Sequence, residues 1–135
     1  MTPQEFVAKW RGNTSTECQV SQQHFLNLFA LVGHPTPAAL DPDNKFFTFE
    51  AGATKQSGGQ GWADVWFKGH FAIEYKGPDK NLARAYEHLL QYHEPLENPP
   101  LLLTGNTQEY FIHTNFTNSV KQITRARQVC ALIAL

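Results

Sequence analysis

Apolar residues recur along this chain with two periods. Phe6, Val7 and Trp10 share one face of a helix over residues 2–12. Thr2 and Glu5 open it at capping-box spacing, with Pro3 at the tolerated first position. Thr14 and Glu17 repeat that spacing before a second helix, 15–32, whose stripe is Val20, Phe25, Leu28, Phe29, Leu31 and Val32. Gly33, Pro35 and Pro37 stop it. After a polar loop, "KFFTFE" reads as a short strand, followed by a glycine-rich stretch, 51–61. The period then falls to two over 62–68 and 70–76, giving two strands joined at Lys68-Gly69. A helix over 80–93 turns Leu82, Tyr86, Leu89 and Leu90 inward, with Asp79 as its cap. "LLLT" and "EYFIHT" are two more strands with a turn at Gly105-Asn106, and the tail, 117–135, follows neither period cleanly. This order predicts one α/β domain over residues 1–135: a mixed sheet with a central antiparallel hairpin, flanked by helices.

Composition narrows the class. The 135 residues are 41% hydrophobic and 13% aromatic, enough for a core, and the net charge of -1 gives no global basic signature, so nucleic-acid contact would need a local basic face. Cys18 and Cys130 have no metal spacing and read as free thiols of a reducing compartment. No apolar run reaches the roughly 18 residues of a membrane span, and "MTPQEFVAKW" lacks a signal-peptide core; a cytoplasmic protein is expected.

The stretch "GWADVWFKGHFAIEYKG" changes the picture, because Asp64, Glu74 and Lys76 interrupt two apolar strands. A charge buried in a strand costs free energy unless it is paired, hydrogen-bonded or bound to a metal. With a two-residue loop, Asp64 would lie opposite Ile73. With a three-residue loop centred on Gly69, Phe67 pairs with Phe71 and Asp64 faces Glu74. Only the second register collects Val65, Phe67, Phe71, Ile73 and Tyr75 on one face and every charge on the other, so patterning selects it. Two carboxylates facing across strands repel; a proton on one, or a divalent cation between them, relieves this. Oxygen ligands suit Mg²⁺ or Mn²⁺, and no Cys/His cluster suits zinc. Lys76 beside the pair can orient a water or stabilise charge growing on a phosphate, so the constellation suits phosphodiester hydrolysis. The same residues also fit a solvated polar face carrying an ordinary Glu-Lys pair. The glycine-rich stretch lacks the Gly-Lys-Ser/Thr of a Walker motif; it serves either as a connection or, through Lys55, as a phosphate contact.

Asp, nine residues, Glu-x-Lys is the spacing of the PD-(D/E)xK nuclease superfamily. The surrounding words "FEAGATKQSGGQGWADVWFKGHFAIEYKG", "LARAYEHLLQY", "LENPPLLL" and "IHTNFTN" resemble the N-terminal nuclease domain of MmeI-like (type IIL) restriction-modification enzymes, over about residues 3–120. The resemblance implies a restriction-endonuclease-like core in which Asp64, Glu74 and Lys76 form the catalytic triad. Asp64 and Glu74 would hold Mg²⁺ or Mn²⁺, and the substrate would be double-stranded DNA. It also implies supporting roles for Glu17, whose alternative is to cap against Thr14, and for Gln91 and Tyr92 on the helix after the Glu-x-Lys strand. His88 stands where the family suggests Gln and is expected to be exposed. Lys55, Lys68, Lys80 and Arg84 flank the hairpin as candidate DNA contacts.

The chain departs from the family in places. Ala63, not proline, precedes Asp64, and "LLLTGNTQEY" lacks an expected acidic residue near its end. Neither a methyltransferase cofactor loop nor its Asn-Pro-Pro-Tyr/Phe motif appears; "NPPLL" introduces a strand. S-adenosylmethionine would serve only the methyltransferase part of the family, and the resemblance suggests a truncated gene product. A separate methyltransferase and specificity subunit, or a second nuclease copy, is the partner it implies. The alternative is a catalytically silent remnant that binds DNA or docks a partner; hydrolysis of another phosphodiester, such as RNA, is a third.

Overall fold

A computed structural model describes residues 2–11, 17–51, 62–77, 81–106, 109–116 and 118–126; for 17–20 it describes the backbone. The capping box forms as the spacing predicts. Thr2 accepts from the Glu5 N–H, Glu5 reaches back to the Thr2 N–H, and α1 runs Pro3–Trp10. The second helix, α2, spans Glu17–Val32. It ends at Gly33, whose φ of 74° needs no Cβ, with the His34 N–H on Phe29 O and the Gly33 N–H on Ala30 O. The Thr14 cap lies outside the described residues.

Pro37 does not merely stop a helix. Thr36 caps a further turn, α3 (Pro37–Leu40), in which Pro37 takes the first position. Asp41 then accepts from the N–H groups of Phe46 and Phe47, which fixes the start of β1 (Phe47–Ala51). The hairpin follows as β2 (Ala63–Phe67) and β3 (Phe71–Tyr75). The next helix, α4 (Leu82–Gln91), starts later than the periodicity predicts. Its cap is Asn81, which accepts the Ala83 N–H, while Asp79 lies outside the described residues. β4 (Leu101–Gly105) and β5 (Tyr110–Thr114) complete the predicted set. Gly105 ends β4 rather than making the turn, which Asn106 makes by pairing with Glu109 through backbone and side chain. A sixth strand, β6 (Ile123–Ala126), comes from the tail that followed neither period.

The six strands form one mixed sheet in sequence order, β1 to β6. Every neighbouring pair is antiparallel except β3 and β4, which run parallel because α4 carries the chain back across the sheet. Phe25 and Phe29 of α2 pack with Phe47, Val65, Ile73 and Tyr75 on one face, and α1 joins α2 through Phe6 and Trp10. On the other face, Leu89 of α4 packs with Ala72 and Leu102, and with Leu96 from the loop that follows. The chain is therefore an α/β protein with a six-stranded mixed sheet flanked by helices. Among the described residues no helix is long and apolar enough to cross a membrane.

Candidate functional site

The hairpin adopts the register that patterning selects. Phe67 pairs with Phe71 and Val65 with Ile73, around the three-residue turn Lys68-Gly69-His70, with Gly69 at φ 77°. Val65 is fully buried and Ile73 is 6% exposed. The last pair of the β2–β3 ladder is Val65–Ile73; Asp64 and Glu74, the next residue on each strand, share the parity of Trp66 and Ala72 and so lie on the α4 side of the sheet. There the two acids find separate supports. Asp64 Oδ2 accepts the Tyr75 N–H at 2.7 Å, so its carboxylate lies against the Glu74–Tyr75 peptide. Glu74, itself buried, brings Oε2 to 3.1 Å from His88 Nε2 on α4.

His88 is therefore not exposed as the sequence suggested. It belongs to the site, and its ring also meets Tyr92, with centroids 5.0 Å apart. Tyr92 stacks in turn on Trp62 at the head of β2, and both join the cluster beneath α4. The signal in the sequence was position: His88 falls one place before the inward Leu89, on the edge of the helix face that meets β3.

The remaining candidates scatter. Lys76 follows β3 and extends its ladder by donating its N–H to Gly105 O; it shares parity with Glu74, and no ion pair holds its ammonium among the described residues. Gln91 is exposed at the end of α4 and does not join Tyr92 beneath it. Lys68 sits in the hairpin turn, about 13 Å along β2 from Asp64, and pairs with Glu97 at 3.5 Å, so it does not line the acid pair. Arg84 is exposed on α4. Glu17 opens α2, but its side chain, like Lys55, Lys80 and the glycine-rich stretch from 52 onward, lies outside the described residues.

Two residues that the sequence did not single out complete the level of the sheet occupied by the acids. Glu50 on β1 falls opposite Asp64, between the pairs Phe49–Val65 and Ala51–Ala63. Its φ of 50° is uncommon for a residue with a Cβ, and such backbone conformations concentrate at functional sites. On the other side, Thr104 of β4 pairs with Glu74.

Among the described residues no three His, Cys, Asp or Glu side chains form a group able to hold a metal. Two carboxylates from adjoining strands do suit Mg²⁺, which binds one or two protein carboxylates and keeps its remaining positions for water and substrate phosphate. Asp64 Oδ1 carries no hydrogen bond among the described residues, so the pair retains a donor for a cation. Chemically the arrangement offers two acids and an imidazole at the end of a half-buried hairpin, with a lysine two residues after Glu74 in the chain. Comparison with family models, curated proteins and solved structures finds no match to this chain.

Proposed function

We propose that the chain is a DNA endonuclease domain with a restriction-endonuclease-like core, hydrolysing phosphodiester bonds with Mg²⁺ or Mn²⁺. The observation that carries this reading is the hydrogen bond from the Tyr75 N–H to Asp64 Oδ2, which with the strand parity sets Asp64 beside Glu74 on one face of the hairpin. The resemblance to the MmeI-like nuclease domain supports it. Asp64 and Glu74 would hold the cation. Its contribution is to polarise the phosphoryl oxygen and make a bound water more acidic. Lys76 supplies positive charge to the phosphate as negative charge builds there, or orients the water. The Tyr75 N–H holds Asp64 in place, and His88 does the same for Glu74. Such pre-ordering avoids reorganisation at the moment of reaction.

A specific observation favours the second reading, a silent DNA-binding or docking remnant: both acids are already engaged, Asp64 by a backbone N–H and Glu74 by His88. Incubating the purified chain with supercoiled plasmid separates the two. Endonuclease activity relaxes or linearises the plasmid with Mg²⁺, leaves it intact with EDTA, and is lost in Asp64→Ala. Intact plasmid at all Mg²⁺ concentrations, together with retarded migration of a duplex, supports the remnant.

A further inference from the structure

Thr104 is 1% exposed, and its Oγ1 has no hydrogen-bond partner among the described residues. Leaving a buried hydroxyl unsatisfied is costly, and native proteins commonly satisfy such groups with an internal water. The location is specific. Thr104 is the direct partner of Glu74 in the parallel β3–β4 ladder, and paired residues project to the same face. Neighbouring strands lie about 4.8 Å apart, so the Thr104 hydroxyl and the Glu74 carboxylate stand side by side on one face. The helix above contributes His88, already against Glu74. His113 Nδ1 is a second buried atom without a hydrogen bond among the described residues; it lies two positions further along β5 from the residue facing Thr104, with Tyr86 of α4 stacked over its ring. The space beneath α4 next to Glu74 is thus more polar than the apolar cluster around Leu89 and Leu102.

We infer that Thr104 is a positioning residue for Glu74, acting through one buried water. The hydroxyl binds the water, and the water donates to the Glu74 carboxylate. Together with His88 this fixes the carboxylate from two sides, so that it faces Asp64. A carboxylate held by a supporting hydrogen bond is a better cation ligand, and loss of such support commonly lowers metal affinity by about 10- to 100-fold. This last consequence rests on the cation-site reading given above; the water bridge itself does not.

The bridge is tested on the cation-free protein by thermal unfolding of the wild type, Thr104→Val, Glu74→Met, which removes the acceptor, and the double variant. Valine keeps the volume and shape of threonine and removes the hydroxyl. If the water bridge exists, Thr104→Val lowers Tm in the wild-type background, Thr104→Ser retains most of the stability, and the valine effect shrinks in the Glu74→Met background, because neighbours in one network are not additive. If the hydroxyl is a true orphan, Thr104→Val raises Tm, and the inference is overturned. A loss of equal size in both backgrounds also overturns it, since Thr104 would then act independently of Glu74. Calorimetric titration with Mn²⁺ adds the functional readout: Thr104→Val binds at least tenfold more weakly than wild type and Thr104→Ser binds like it. Equal affinity in the valine variant overturns the positioning role. Failure of the wild type itself to bind Mn²⁺ overturns the cation site alone, and the unfolding cycle still decides the bridge.

Discussion

At Glu74 the demands of stability and of chemistry diverge. Its side chain is 8% exposed, and the His88 imidazole lies 3.1 Å from its carboxylate. Replacing it by Gln removes a desolvated carboxylate and keeps an acceptor for the His88 ring. Glu74→Gln should therefore unfold in urea at a midpoint no lower than wild type while losing cation-dependent cleavage. A large loss of stability would mean that the carboxylate is structural. Asp64 behaves differently. Its carboxylate satisfies the Tyr75 N–H, so Asp64→Ala should cost about 0.5–1.5 kcal/mol in urea unfolding as well as abolishing cleavage, whereas Asp64→Asn, which keeps an acceptor, should lose cleavage with a smaller cost. The sequence disclosed the two acids because charge inside an apolar alternation is conspicuous. It did not disclose His88 or Thr104, since a histidine on a helix edge and a threonine in a strand are ordinary until the sheet register puts them beside Glu74.

At the level of elements, the hairpin was the most legible part of the chain. Val65 and Phe67 against Phe71, Ile73 and Tyr75 leave one register that gathers all five on one face, and Gly69 supplies the positive φ that the turn requires. Adding a Cβ at Gly69 meets no atom within 4 Å, so Gly69→Ala isolates the backbone cost, about 1–2 kcal/mol for a left-handed conformation, readable as a lower urea midpoint with unchanged slope. Gly105 is the opposite case. A Cβ there would stand 2.8 Å from the Tyr110 ring, so Gly105→Ala must push a buried tyrosine and should cost about 1–3 kcal/mol. Two elements were illegible for physical reasons. α3 is four residues long, too short for any periodicity, and is marked only by Thr36-Pro37. β6 is exposed over Ile123, Thr124 and Arg125, so burial imposes no alternation on its sequence; it is held by pairing with β5 and by the Arg125–Glu109 ion pair.

Across the whole molecule, one buried polar chain ties the helical layer to the sheet. His24 of α2 is fully buried, with Nδ1 2.9 Å from the Tyr75 hydroxyl and Nε2 2.7 Å from that of Tyr110. Tyr75 thus binds the helices through its hydroxyl and Asp64 through its N–H. Burial holds His24 neutral, its pKa pushed down to about 3 from 6.5. Below pH 6.5 the unfolded chain takes up a proton that the folded chain refuses. The stabilising effect is therefore complete above that pH and is lost as pH falls towards 3, by up to about 1.4 kcal/mol per unit. Urea midpoints should decline from pH 7.5 to pH 5, and His24→Leu should be less stable at pH 7.5 but lose much of that slope; an unchanged slope would assign the acid sensitivity elsewhere. The central claim, that Asp64 and Glu74 share a cation, is tested most directly by following backbone amide resonances during a Mg²⁺ titration. Saturable shifts should centre on Asp64, Glu74, Tyr75, Lys76 and Thr104, spare the turn at Lys68–His70, and vanish in Asp64→Ala. Shifts that never saturate, or that scatter over exposed acids such as Asp43, Glu87 and Glu94, would contradict it.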